Sequence, residues 1–152
     1  MKKNVLLRMI FVVIIPFIIS CEKGSGTLSS QYGQHKSHNH GKVCMECHNT
    51  GGDNDYWWNL AGSIYKPDGV TYNPNGTVYL YKGKGSSGVL VKTIQVDGNG
   101  NVFTTDIIDT ADSLYVGLQS ATGEVKYMPE PTKDLNCNHC HDGVTNPRIW
   151  IK

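Results

Sequence analysis

The chain has 152 residues, of which 39% are hydrophobic and 18% are charged. This size allows one compact domain with short appendages and excludes a large multidomain enzyme. If Lys2, Lys3 and Arg8 near the start are left out, the chain has 11 Lys and Arg and 13 Asp and Glu, a net charge of −2 with neutral His. This charge gives no support to nucleic-acid binding.

Residues 1–20 have the pattern of a secretory signal: a basic start, an apolar stretch and the small residue Ser20 before Cys21. The uninterrupted apolar part is too short to cross a hydrocarbon core of about 30 Å, which disfavours the alternative, a transmembrane helix. The sequence Ile18-Ile19-Ser20-Cys21 resembles a bacterial lipobox. The resemblance implies that Cys21 is acylated and anchors an envelope lipoprotein, and we expect the outer membrane.

Residues 21–41 contain almost no apolar residue and are rich in Gly, Ser, Gln, Lys, Asn and His. Such a segment cannot bury enough surface to order itself, which predicts a lipidated flexible tether. The remaining chain divides into a first cysteine-containing segment over 42–56, a β domain over 57–131 and a second cysteine-containing segment over 132–152.

Within the β domain, runs of β-branched and aromatic residues recur between turn dipeptides such as Asn75-Gly76. They predict a mainly β fold, a small antiparallel β-sandwich of the prealbumin or Ig type, with short irregular or helical segments at both ends. Alternation places Val78, Leu80, Val89 and Val91 on one face, with Tyr79, Tyr81 and Lys92 on the other. Six strands are predicted: Trp58–Tyr65, Thr77–Lys82, Val89–Val96, Asn101–Thr105, Ser113–Gln119 and Glu124–Met128.

The middle segment resembles the carboxypeptidase regulatory-like domains. The matching residues are Ala61-Gly62-Ser63-Ile64-Tyr65, Gly76-Thr77-Val78-Tyr79-Leu80-Tyr81 and Asp97-Gly98-Asn99-Gly100-Asn101-Val102-Phe103. The resemblance implies a seven-stranded transthyretin-like sandwich that is structural or adhesive and brings no catalytic residues. Function then has to come from other parts of the chain.

Two five-residue motifs flank the β domain, Cys44-Met45-Glu46-Cys47-His48 and Cys137-Asn138-His139-Cys140-His141. Both read Cys-x-x-Cys-His, the attachment pattern of c-type haem. Two thiols on one turn can add to the two vinyl groups of a porphyrin, and the following His then lies beneath the iron as the proximal ligand. The pattern predicts two covalently attached haem c groups, bound by Cys44, Cys47, His48, Cys137, Cys140 and His141.

Two other interpretations of the cysteines remain open. The four could bind one zinc ion if the chain ends meet, or each pair could form a structural or thioredoxin-like disulfide. The zinc interpretation needs a spacing far from the usual one, and the disulfide interpretation leaves both following histidines unexplained.

The order of the segments resembles a family of small bacterial c-type cytochrome lipoproteins. The residues that carry this resemblance are Ser37-His38-Asn39-His40-Gly41, the two motifs, and Pro147-Arg148-Ile149-Trp150. The resemblance implies covalent haem and electron transfer over nearly the whole mature chain.

Distal iron ligands are predicted from the remaining histidines and methionines. His38 is the first candidate for the first haem and His40 the second, whereas His139 or Met128 would serve the second haem. Met45 lies inside its own motif and cannot reach the far face of that haem. The alternative is that the histidines before the first motif are solvated linker residues or a weak Zn or Cu site.

The cysteine-containing segments are too short to enclose their cofactors, so we expect haems that lie against the sandwich with exposed edges. This favours a membrane-anchored dihaem electron carrier over an enzyme, with other cytochromes as redox partners. Two alternatives are a lipoprotein binding module, with the cysteine pairs as disulfides or zinc ligands, and a haem-based gas sensor.

Overall fold

The computed structural model describes residues 27–51 and 56–152. The predicted signal peptide and the lipidation site Cys21 lie outside the described residues. The elements are α1 (Cys44–Cys47), β1 (Leu60–Ser63), β2 (Thr77–Lys82), β3 (Val89–Gln95), β4 (Asn101–Thr104), β5 (Tyr115–Gln119), β6 (Val125–Tyr127) and α2 (Cys137–Cys140), with a 3-10 turn at Gly85–Ser87.

The predicted mainly β fold is confirmed: two antiparallel sheets, one of four strands and one of two, carry the two short helices at their margin. The larger sheet has the order β3-β2-β5-β6, and the smaller one pairs β1 with β4. Each of the six predicted strands has a counterpart: Thr77–Lys82 has the predicted bounds, and the other five are shorter by one to four residues. The seventh strand that the resemblance implies has no counterpart among the described residues.

One hydrophobic core joins both sheets. Leu60 on β1 and Val102 on β4 belong to the same buried cluster as Leu80 on β2 and Leu118 on β5. Burial of these side chains stabilises the sandwich by about 1.5–3 kcal/mol each. Segments outside the strands complete the cluster: Ile64, Val96, Leu114, Leu135 and Ile151.

The smaller sheet is extended on both edges by short bridges. Ser29 pairs with Thr104 on the outer edge of β4, and Asn136 pairs in parallel with Ala61 on the outer edge of β1. Trp150 pairs in the same way with Tyr65, just beyond β1. The segment between Asn136 and Trp150, which contains the whole second motif, is therefore paired with the edge of β1 or the residue just beyond it at both of its ends.

The predicted alternation is wrong for β3. Val89 is 73% exposed and Val91 is 37% exposed, whereas Val78 and Leu80 are buried. The register pairs Val78 with Ile94 and Leu80 with Lys92, and it shifts at an irregularity between Leu80 and Tyr81. Because residues directly opposite in an antiparallel pair share a face, β3 presents Ile94 and Lys92 to the core side.

The predicted flexible tether is wrong for residues 28–41. The Ser30 backbone N–H donates to Phe103 O at 2.9 Å, and the Thr105 N–H donates to Leu28 O at 2.8 Å. Further along, Gly98 N–H donates to Gln34 O, and Asn101 Nδ2 donates to Ser37 Oγ. Polar residues thus order this segment by hydrogen bonds to strands and turns, without an apolar face of its own. No helix in the described part of the chain is long and apolar enough to cross a membrane.

Candidate haem-binding sites

The two Cys-x-x-Cys-His motifs have the same backbone conformation. Each forms one helical turn, α1 and α2, that ends at the motif histidine. The His48 N–H donates to Cys44 O at 3.0 Å, and the His141 N–H donates to Cys137 O at 2.9 Å. Their dihedral angles agree as well, with φ −94° and ψ 62° at His48 against φ −96° and ψ 53° at His141.

Each motif histidine is oriented by a backbone carbonyl that follows it in the chain. His48 Nδ1 donates to Tyr56 O at 3.1 Å, and His141 Nδ1 donates to Pro147 O at 2.8 Å. A carbonyl can only accept, so Nδ1 carries the proton of the neutral ring and Nε2 retains its lone pair. Metal-binding histidines are commonly held in this way.

The cysteines repeat the same order of burial in both motifs. The first cysteine of each, Cys44 or Cys137, is half-buried, whereas the second, Cys47 or Cys140, is exposed. Burial raises the pKa of Cys44, and it raises the pKa of Cys137 to about 12, with smaller contributions from nearby Asp134 and Cys44. The first cysteines are therefore protonated thiols at neutral pH.

None of the four motif cysteines forms a disulfide. Within residues 27–51 and 56–152, the ligand atoms of Asp134, His139 and Cys140 form the one cluster with a spacing that suits a metal ion. The four cysteines do not converge on a common point there, which disfavours a four-cysteine zinc site.

A cavity of about 270 Å³ borders the first motif. Cys44, Cys47 and His48 line it on one side, and Trp58 and Phe103 contribute aromatic walls. The Trp58 ring lies 4.6 Å from both the His48 and the Phe103 ring centres. This wall connects the first motif to β4 through Phe103.

His38 lies in the same cavity as His48, and the two ring centres are 5.9 Å apart. His38 and His48 thus line one cavity, where both imidazoles could supply a nitrogen ligand to one metal. The second candidate, His40, instead stacks on Tyr72 with ring centres 4.0 Å apart and does not line this cavity.

A larger cavity, of about 630 Å³, borders the second motif. Its lining includes Cys137, Cys140 and His141 together with the candidate ligand Met128. The other lining residues are mainly aliphatic or aromatic and include Leu60, Val116, Leu118, Pro129, Pro131, Ile149 and Trp150. Large, mostly apolar cavities with few polar groups are typical of cofactor sites.

The other candidate for the second site, His139, points elsewhere. Its Nδ1 donates to Asp134 Oδ2 at 2.7 Å, the ring is exposed, and it does not line the larger cavity. Each cavity is thus lined by one of its two predicted distal ligands. His38 but not His40 lines the first cavity, and Met128 but not His139 lines the second. The residues fit the predicted haem groups in thiol placement, histidine tautomer and apolar walls.

Sequence reasoning missed the polar residue Asn138, which is 1% exposed. Its side chain hydrogen-bonds to Lys42, just before the first motif, and to Ser63, after that motif on β1. Asn138 is one of the two variable residues of the second Cys-x-x-Cys-His motif, and the motif itself assigns it no role. The carbonyls of Tyr56 and Pro147 were also missed, because a backbone acceptor leaves no signal in side-chain chemistry. Comparison with known proteins gave no matching family model, no similar curated protein and no similar solved structure.

Proposed function

We propose that this chain is a membrane-anchored dihaem c-type cytochrome that carries electrons in the cell envelope. The observation that supports it best is the repetition of one arrangement at two places: a helical turn, a half-buried and an exposed cysteine, and a histidine whose Nδ1 is bonded to a following carbonyl. A four-cysteine zinc site or two disulfides would leave both oriented histidines without a role.

The cysteines and histidines have separate roles in this proposal. The four cysteines would hold haem as thioethers to its vinyl groups, an addition of S–H across a double bond that needs no oxidant, and His48 and His141 would supply Nε2 to the iron. Bound haem contributes a one-electron Fe(III)/Fe(II) couple.

The surroundings of the motifs favour electron transfer over catalysis. The aromatic wall of Trp58 and Phe103 and the apolar part of the larger cavity offer apolar contact to bound cofactors. The second cysteine of each motif is exposed, which leaves that side of each site open to other proteins. We infer that other c-type cytochromes are the electron donor and acceptor.

The net charge of −2, with haem propionates added to it, favours partners with a basic docking surface at low salt. Acylation of Cys21 would fasten the protein to a lipid leaflet, and we propose the outer membrane. Attachment confines the carrier to the neighbourhood of its partners, as two or three acyl chains hold a protein stably without a spanning segment.

A pyridine haemochrome assay on the chain expressed with a c-type haem maturation system tests the proposal. We expect two covalent haems per chain. The paired variants C44A/C47A and C137A/C140A should each retain one, and the variant that lacks all four thiols should retain none. A wild-type chain without covalent haem would overturn the proposal in favour of a binding module.

A further inference from the structure

The buried side chain of Asn138 joins the second motif to the segment that leads into the first. Its Nδ2 donates to Lys42 O at 2.7 Å, across a sequence separation of 96 residues. Its Oδ1 accepts from the Ser63 backbone N–H at 3.0 Å, and Nδ2 also lies 3.2 Å from Ser63 Oγ. Asn138 directly follows Cys137, and Lys42 lies two residues before Cys44. The hydrogen bond from Asn138 to Lys42 therefore connects the two motifs almost directly.

Ser63, at the end of β1, completes this connection. Its hydroxyl accepts from the Gly41 N–H at 2.9 Å and donates to Asn101 Oδ1 at 2.6 Å. Ser63 and Asn101 are buried, as is Asn138. A buried network in which each polar group has a partner is rigid, because any displacement leaves a group unpaired away from water.

The helical turns of both motifs lie against β1. A Cβ added at Gly62 would lie 2.7 Å from Cys137 Cβ, so the absent side chain lets Cys137 approach the strand. α1 also contacts β1. The turns of both motifs are therefore in contact with the same strand.

We infer that the two sites form one coupled unit, in which electrons pass directly between them, and that Asn138 is the positioning residue that fixes their relative placement. This inference rests on the proposed function. Haem bound at each site would supply a one-electron couple, so the exchange would need no bond made or broken in the chain.

Circular dichroism in the Soret region tests the inference on the holoprotein. Two neighbouring haems in a fixed orientation give a band split into lobes of opposite sign, and we expect this split band in the wild type. The variant N138A should keep two covalent haems but lose most of the splitting. Its matched control is N146A: Asn146 Nδ2 also donates to a carbonyl, Cys140 O at 3.2 Å, but it lies within the second segment and joins nothing to the first motif.

The outcomes separate the inference from the proposed function. A wild type with two haems and an unsplit Soret band overturns the coupling and leaves the dihaem assignment intact, whereas fewer than two haems overturns the assignment itself. Equal spectra of N138A and N146A overturn the role of Asn138. If N138A does not fold, N138D provides the test, since it keeps the size and the acceptor for Ser63 N–H but loses the donor to Lys42 O. Retention of the wild-type splitting in N138D overturns the positioning role.

Discussion

The two motif sites share a backbone but differ in what surrounds them. The first is bordered by a smaller cavity that contains His38 and the polar residues of the segment over 34–42. The second is bordered by a larger cavity with a mostly apolar surface that includes Met128, together with the charged residues Lys126, Glu130, Asp134 and Arg148. The sequence motif thus specifies the local turn, whereas the surrounding domain specifies the environment of each site. If both sites bind haem, we expect them to differ in axial ligand and in reduction potential.

The largest effect on this contrast should come from M128A. Loss of a thioether ligand removes the group that favours the reduced iron, so we expect the potential of the second site to fall by on the order of 100 mV. The charge-transfer band of thioether-ligated ferric haem should disappear as well. Spectroelectrochemical titration measures both. The control is M45A, and a second-site potential that stays the same in M128A would show that Met128 is not the ligand.

The second-largest effect on the contrast between the two sites is expected from H38A. Removal of the imidazole leaves the first site with His48 alone, and we expect conversion from a low-spin to a high-spin ferric signal at one of the two sites. Electron paramagnetic resonance on the oxidised holoprotein measures this change. H40A serves as the control, because His40 stacks on Tyr72 outside the cavity. A high-spin signal in H40A and none in H38A would reverse the assignment of the two histidines.

The strands were predictable from sequence because short β-branched and aromatic runs alternate with turn dipeptides, and Asn75 indeed has a positive φ of 61°. The face assignment of β3 failed because Val89, Leu90 and Val91 are apolar at consecutive positions, so the pattern of this strand does not show that Lys92 and Ile94 lie opposite Leu80 and Val78.

Features that depend on contacts distant in sequence were beyond prediction. The polar segment before the first motif resembled a tether, because composition does not show that Ser30 and Ser37 bond to strand β4. Asn138 occupies a variable position of a Cys-x-x-Cys turn, and its burial depends on Ser63 and Lys42. The six predicted attachment residues could be proposed directly from the sequence, because covalent haem binding requires the identity and spacing of the Cys-x-x-Cys-His pattern.

A smaller effect, confined to the second site, is expected from G62A. The added Cβ would meet Cys137 Cβ at 2.7 Å and Sγ at 3.1 Å, so the second motif must shift away from β1. We expect a loss of about 1–3 kcal/mol in the free energy of unfolding and less haem at the second site. Denaturant titration and haem quantification measure these quantities. In the control G51A, after the first motif, the new Cβ makes an ordinary contact of 3.6 Å with Asn49 Oδ1, and equal losses in both variants would contradict the packing argument.

The smallest effect should come from H139A, which removes the second predicted ligand of the second site. His139 bonds to Asp134 on the surface, with side-chain exposures of 67% and 42%, and exposed pairs contribute only about 0–1 kcal/mol. The free energy of unfolding should change little, and the spectrum of the second site should not change at all. If H139A gave a high-spin signal while the potential and spectrum of M128A stayed as in the wild type, His139 and not Met128 would be the distal ligand. Both sites would then have two imidazoles, so their potentials would have to differ through the cavity walls alone.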